Sequence, residues 1–227
     1  VLHRVGGVFC RVAFMSREGV VIDTEIDFAA HALHGAFGLA VRLEHLPGEH
    51  DRNFKVTAAD GARFLFKIHG ARVAPERAEL QAAALRHLEH VAPDLPVPRL
   101  FLGRAGAMLP AIRDARGGER RLRLTTWLDG ATWAEAPHRA TDAPESLGRL
   151  LAQLDGALAG FTHPGLADPY PWDLALAASL RGDIALIADT ARRSAVADVL
   201  NRFADEIKPS LRHLHQQAVH GDANDRN

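Results

Sequence analysis

Cysteine is nearly absent. Cys10 is the only one in 227 residues, which excludes an internal disulfide framework and fits a reducing, cytoplasmic setting. Neither sign of charge is in excess: the formal net charge is −1, with 24% charged residues. Without a basic surplus there is no electrostatic footprint for nucleic acid, and small-molecule partners are expected instead. Long apolar runs are missing too. The stretch 5–15 is broken by Arg11 and falls short of the ~20 residues a membrane helix needs, so neither membrane association nor export is expected. Neither G-x-x-x-x-G-K-[ST] nor G-x-G-x-x-G occurs, which removes the P-loop and dinucleotide fingerprints. What is present is 47% apolar residues, enough to bury a sizeable core in one large domain or two small lobes.

Residues 1–23 show no clean periodicity and form an unassigned extension. From there the pattern becomes legible. Ile26, Ala29, Ala30, Leu33 and Phe37 recur at helical spacing over 24–37, with Gly35 and Gly38 marking the end. A three-strand meander follows over 41–46, 53–57 and 62–69, with Asp60-Gly61 as a hairpin turn. Alternation on the third strand places Phe64, Phe66 and Ile68 on one face and Leu65 and Lys67 on the other. Pro75 suits the first turn of a helix over 75–91, acidic at its start through Glu76 and Glu79, with Leu80, Ala84, Leu88 and Val91 as its stripe. Pro93, Pro96 and Pro98 force an extended connection. Strands are expected at 99–103, 108–113 and 121–128, the last ending at Asp129-Gly130. Beyond it the period changes from strand to helix. Leu147, Leu150, Leu151, Leu154, Leu158 and Phe161 mark a core helix begun near Pro144, and further helices are expected over 183–191 and 196–217, the latter bent at Pro209.

The most specific spacing lies at the carboxy-terminal end: His220-Gly221-Asp222, four residues, then Asn227. Phosphoryl transfer uses such a loop. An Asp orients an acceptor hydroxyl and takes its proton, while an Asn five positions on ligates a metal ion held by the nucleotide phosphates. As a bare octapeptide it also reads as a polar turn. With the Lys67 strand, the Glu79-Leu80-Gln81 helix, Leu95-Pro96-Val97-Pro98-Arg99 and Trp172-Asp173-Leu174, it resembles small-molecule kinases of the aminoglycoside phosphotransferase and choline kinase type, and within them the hydroxylysine-kinase branch.

That resemblance covers about 26–227. It implies an α+β, protein-kinase-like two-lobe fold, with a five-stranded antiparallel sheet and a helix in a nucleotide-binding lobe at 24–129. A mainly helical, partial second lobe at 130–227 ends in the catalytic loop. It implies ATP and Mg2+ as cofactors and a small, amino-bearing compound with a hydroxyl as acceptor. Asp222 takes the base role, His220 braces the loop, Asn227 is the metal ligand, and Lys67 contacts phosphate with Glu79 as its orienter and Glu76 in reserve. Gly48 and Asn53 belong to the loop over the phosphates, although this loop has a single glycine. Thr126, Trp127 and Leu128 meet the adenine through main-chain groups at the interlobe hinge.

The kinase pattern also needs a metal-binding Asp after the catalytic loop, which 1–227 does not contain, so an inactive fragment of a longer enzyme is expected. Related bacterial domains can precede a class III aminotransferase, which makes such a fusion an expectation for the parent polypeptide. Two rival readings stand beside this one. The first is a metal-dependent hydrolase using His213, His215 and His220 with Asp222 and Asp225; the second is a nucleotide-binding module without catalysis.

Overall fold

The computed structural model describes residues 24–136, 141–169 and 172–225. The extension expected over 1–23 and the metal ligand expected at Asn227 lie outside these residues. The chain is α+β, with α1 (Thr24–Phe37), β1 (Val41–Leu46), β2 (Arg52–Ala58), β3 (Arg63–Ile68), α2 (Pro75–Val91), β4 (Leu100–Phe101), β5 (Ala111–Arg113), β6 (Glu119–Thr126), α3 (Ala143–Leu158), α4 (Thr190–Arg202) and α5 (Lys208–Leu211).

The sheet runs β1-β2-β3-β6-β4, antiparallel throughout, with β5 also paired to β6. The six strands read from the sequence pattern all form, one more than the five-stranded sheet that the resemblance implies. The edge partner of β6 is two short pieces: Leu100 and Phe101 pair with its end at Thr125 and Leu124, while β5 pairs with Glu119, Arg120 and Arg121 at its start. Between them the chain turns through Ala105 and Gly106, both at positive φ (60° and 79°), and this breaks what would otherwise be one edge strand.

Alternation along the strands produces the two faces of the sheet. Phe54, Val56, Phe66, Ile68, Leu122 and Leu124 are buried on one face and covered by Ala29, Ala32 and Leu33 of α1. The i, i+3, i+4 spacing on α1 is what a helix lying on a sheet requires. Each buried Phe contributes about 1.5–3 kcal/mol by leaving water, and Phe37 meets Phe66 edge-on with ring centroids 6.2 Å apart. Gly38 ends α1 in the left-handed region (φ 77°), its N–H donating to the His34 carbonyl at 2.8 Å.

Helix α2 starts where Pro75 fixes it and serves two partners. Its small residues Ala78 and Ala82 let Leu100 and Leu109 approach, whereas Leu88 packs with Leu154, Leu158 and Phe161 beyond the sheet. Ala218 joins that second cluster, so the segment leading into the His220 loop rests on α3 and α2. Gln217 Nε2 adds a hydrogen bond to the Asp155 carbonyl at 2.8 Å.

The carboxy-terminal region departs most from the sequence expectation. The helix expected over 183–191 is a 3₁₀ stretch, Leu174–Leu186, while α4 begins at Thr190 with Asp189 capping the Arg192 N–H at 2.8 Å. The long helix expected over 196–217 is α4, a π-helical turn (Phe203–Ile207) and the short α5. The π-turn lies immediately before Pro209, which has no N–H to donate back into the helix.

Candidate active site

The site is built from the sheet face opposite α1. Register places Asn53 beside Lys67 on β2 and β3, and Lys67 beside Arg123 on β6. Three polar side chains therefore form one row across three strands. One step beyond β2, Asp51 turns its carboxylate to the same row: Lys67 Nζ lies 3.1 Å from Asp51 Oδ2, and the Gly70 N–H donates to Asp51 Oδ1 at 3.0 Å. The buried His69 sits alongside, its Nδ1 3.4 Å from Asp51 Oδ1.

Burial alone would raise the Asp51 carboxyl. The close approach of the His69 ring, the hydrogen bond from the Gly70 N–H and the nearby charge of Lys67 outweigh it and hold the group well below the usual carboxylate range. The Lys67 ammonium is pulled below its usual value, first by burial and then by Arg123, with Asp51 acting in the opposite direction. Burial also lowers Arg123, against the pull of Asp51. Two cations thus face one carboxylate.

The expected partner of Lys67 is not the one found. Glu79 lies 4.0 Å from Arg121, and Gln81, two residues on, receives a 2.7 Å hydrogen bond from Arg123. Arg121 and Arg123 are also two residues apart on β6, so α2 runs along the strand offering its carboxylate to one arginine and its carboxamide to the next. The position facing the lysine row carries Gln81, and Lys67 takes its carboxylate from the loop. Glu76, the reserve, makes no ion pair with Lys67 either, since Asp51 fills that place.

The loop between β1 and β2 is shaped by close approaches. A Cβ on Gly48 would lie 2.3 Å from the Asp51 carbonyl oxygen and 2.6 Å from Asn53 Nδ2, while Asn53 Nδ2 donates to the Pro47 carbonyl at 3.0 Å. Gly48 and Asn53 are therefore brought together with Asp51 and Lys67.

At the end of β6, Thr126 N–H donates to the Arg99 carbonyl at 2.9 Å and Trp127 N–H to the Arg63 carbonyl at 3.2 Å. The sheet uses both donors, so main-chain groups of Thr126 and Trp127 that face a ligand would be their carbonyls. Leu128 lies beyond the last strand pair with its side chain half exposed. Trp127 carries Lys55 over its ring at 5.0 Å, and Arg63 holds Asp129 at 2.7 Å.

The His220 loop is bent by Gly221 at φ 73°, a conformation that residues with a Cβ adopt only with strain. The Asp222 N–H donates to His220 Nδ1 at 3.2 Å, a bracing contact within the loop, and Asn224 Nδ2 donates to Asp222 Oδ1 at 2.8 Å. The Asp225 carbonyl accepts from the Ala134 N–H at 2.7 Å, tying the loop to the segment that follows β6. For the hydrolase reading, His213 faces Arg212 (3.2 Å) and His215 faces Gln217 (3.1 Å), and no group of three or more His, Cys, Asp or Glu suited to a metal occurs among the described residues.

With this geometry in place, comparison with known proteins is decisive for the family. The model of the phosphotransferase enzyme family matches residues 43–227. The chain belongs to that phosphotransferase family. Hydroxylysine kinases of Mus musculus and Bos taurus are each 28% identical over 216 residues, covering 88% of this chain and 57% of theirs. The chain therefore spans little more than half the length of these relatives. Among solved structures, a microcompartment-associated aminopropanol kinase is 20% identical with a TM-score of 0.52, covering 66% of this chain and 46% of that one. An amicoumacin kinase in complex with AMP-PNP, Ca2+ and Ami is 14% identical with a TM-score of 0.50, covering 74% and 55%. The shared fold of the family is protein-kinase-like, and among the described residues no helix is long and apolar enough to cross a membrane.

Proposed function

We propose that the protein to which this chain belongs transfers the γ-phosphoryl group of ATP to a hydroxyl of a small, amino-bearing compound. The observation that carries this reading is the family match over 43–227, which contains both the Lys67 row and the His220-to-Asn227 loop. Hydroxylysine and aminopropanol, named in the relatives, are amino alcohols and define the acceptor class to try first. The residues present fit a nucleotide. Lys67 and Arg123 stand side by side with Asp51 as the carboxylate between them and the loop, leaving an excess positive charge for phosphate oxygens. Magnesium-bound ATP supplies the transferable phosphoryl group.

In this reading Lys67 binds the phosphates, while Gly48 and Asn53 shape the loop above them. Leu128 contributes main-chain groups toward the adenine, together with the carbonyls of Thr126 and Trp127. Asp222 accepts the acceptor's proton as its oxygen attacks phosphorus, His220 holds the loop, and Asn227 holds the metal. The nucleotide lobe spans 24–129 and the acceptor lobe begins at 130. The chain covers 57% of the length of its curated relatives, which supports reading the working enzyme as a longer polypeptide; the single cysteine supports placing it in a reducing cytoplasm.

The test is Asp222→Ala in the intact protein. ATP-dependent phosphorylation of an amino-alcohol panel is expected to fall by about a hundredfold or more with the circular dichroism spectrum unchanged. Undiminished turnover would overturn the assignment, and ATP binding without any transfer by the native protein would favour the non-catalytic module.

A further inference from the structure

The carboxylate beside Lys67 comes from the loop between β1 and β2, and α2 supplies none. We infer that Asp51 is the positioning residue that aims Lys67 at the nucleotide phosphates, so that the loop over the phosphates and the lysine beneath them are coupled through one side chain. The inference rests on the phosphoryl-transfer reading above.

Three features carry it. The pair is mostly dehydrated, with Lys67 and Asp51 side chains 20% and 16% exposed, and a pair at 3.1 Å in such surroundings orients its members far more firmly than a surface ion pair does. Asp51 is itself fixed, because its second oxygen accepts the Gly70 N–H at 3.0 Å and meets His69 Nδ1 at 3.4 Å. Its backbone is seated by two approaches that only glycine allows: a Cβ on Gly48 would lie 2.3 Å from the Asp51 carbonyl oxygen, and one on Gly70 would lie 1.9 Å from the His50 carbonyl oxygen. The side of Lys67 toward β6 cannot supply the charge. Arg123 stands there, hydrogen-bonded to the neutral Gln81, and Glu79 lies toward Arg121 at 4.0 Å, beside the closer Arg121–Glu119 pair at 3.4 Å.

The arrangement has a consequence for control. Where a helix glutamate holds the lysine, sliding the helix releases it. Here a displacement of α2 leaves Lys67 in place, while a displacement of the 48–51 loop frees it. Nucleotide that orders the loop thereby orders its own phosphate contact.

The experiment reads Lys67 directly in the nucleotide-free chain. Lys55, Lys67 and Lys208 are the only lysines, so the pH dependence of acylation at each is resolved by peptide mass spectrometry. Burial and Arg123 lower the Lys67 ammonium and Asp51 opposes them; His69 is the other titratable group at the site. Asp51→Asn is therefore expected to move the Lys67 titration to lower pH, Asp51→Glu to keep it near the native position, and Glu79→Gln to move it less than Asp51→Asn. Calorimetry with magnesium ATP should show affinity about tenfold weaker for Asp51→Asn, with the alkaline loss of binding starting at lower pH. A purely structural role would weaken binding equally at every pH and overturn the inference. If Asp51→Asn does not fold, Glu79→Gln decides alone: a large downward shift of Lys67 overturns the proposal, and a small one supports it. Lys67→Ala separates the two levels of argument. Undiminished ATP affinity in that variant defeats the phosphate-contact reading itself, whereas weakened affinity beside an unaffected Asp51→Asn variant defeats only the role of Asp51.

Discussion

The sheet with α1 and the region after α3 use similar apolar residues to opposite effect. Around the sheet, Phe54, Phe66, Leu33, Ile68 and Leu122 are fully buried, and the elements that carry them, β2, β3, β6 and α1, are regular and uninterrupted. After α3, Trp172 and Leu186 are each 83% exposed, with Val199, Leu214 and Val219 also exposed, and the backbone passes through 3₁₀ and π turns. The first region closes a core with its own residues. The second leaves several large apolar side chains in water, which the longer polypeptide proposed above would have the chance to cover. Regular secondary structure follows packing: where a face is buried the period holds, and where it is not, local turn chemistry decides.

The sharpest way to break this contrast is to excavate the closed core. Phe66→Ala removes a fully buried ring that meets Phe37 and Phe54 and is expected to cost about 3–5 kcal/mol in denaturant unfolding. A cost under about 1 kcal/mol would mean that the sheet region is loosely packed and that the contrast is one of appearance.

Gly70→Ala probes the same region at the site. The added methyl would lie 1.9 Å from the His50 carbonyl oxygen, and since the obstacle is backbone the loop must move, at an expected cost of about 1–3 kcal/mol. Nucleotide affinity should fall in parallel, because the displaced loop carries Asp51. An equal cost from Gly182→Ala, which meets nothing within 4 Å, would remove the distinction between the built loop and the open region.

How far the sequence foretold this contrast depends on the element. Helix α2 has the bounds expected, since Pro75 fixes its start, but of its expected stripe only Leu88 is buried: Val91 is 47% exposed, and the small Ala78 and Ala82 are buried instead because they face β4. The meander was legible from alternation and the Asp60-Gly61 turn, where Gly61 adopts φ 84°. The two edge pieces beside β6 were legible in place but not in length: β4 and β5 fall within 99–103 and 108–113 and are shorter than expected. The helices after α3 were misjudged because Leu180, Leu186 and Val199 recur without sharing a buried face. At the candidate site, Lys67 stands out in the sequence as a lysine in an apolar strand, but Asp51 lies in a loop, and loops have no period. A signal existed. Extending the hairpin register beyond Asn53 opposite Lys67 brings Asp51 to the end of the same face, ahead of any helix carboxylate.

Acid should distinguish the two regions next. Asp51 is held below its ordinary value of 3.8, so its native contacts contribute stability that is present above the unfolded-state value and is lost as pH falls through the lower folded value. Unfolding of the sheet region, followed by near-ultraviolet circular dichroism, should therefore become easier below about pH 4 in the native chain, with a flatter acid limb in Asp51→Asn. Identical acid limbs would show that the Asp51 contacts do not persist in solution.

The smallest effect belongs to the open region. Leu186 is 83% exposed, so Leu186→Ala removes almost no buried surface and should change the stability of this chain by less than about 0.5 kcal/mol. The same substitution in the longer polypeptide proposed above is the informative arm. If further polypeptide covers the face bearing Leu186, the side chain becomes a core residue there and its loss should cost about 2–5 kcal/mol. The difference between the two measurements reports the burial that the extra chain adds. A cost of similar small size in both contexts would mean that Leu186 stays in water throughout, and the apolar surface after α3 would then need a partner other than the rest of its own polypeptide.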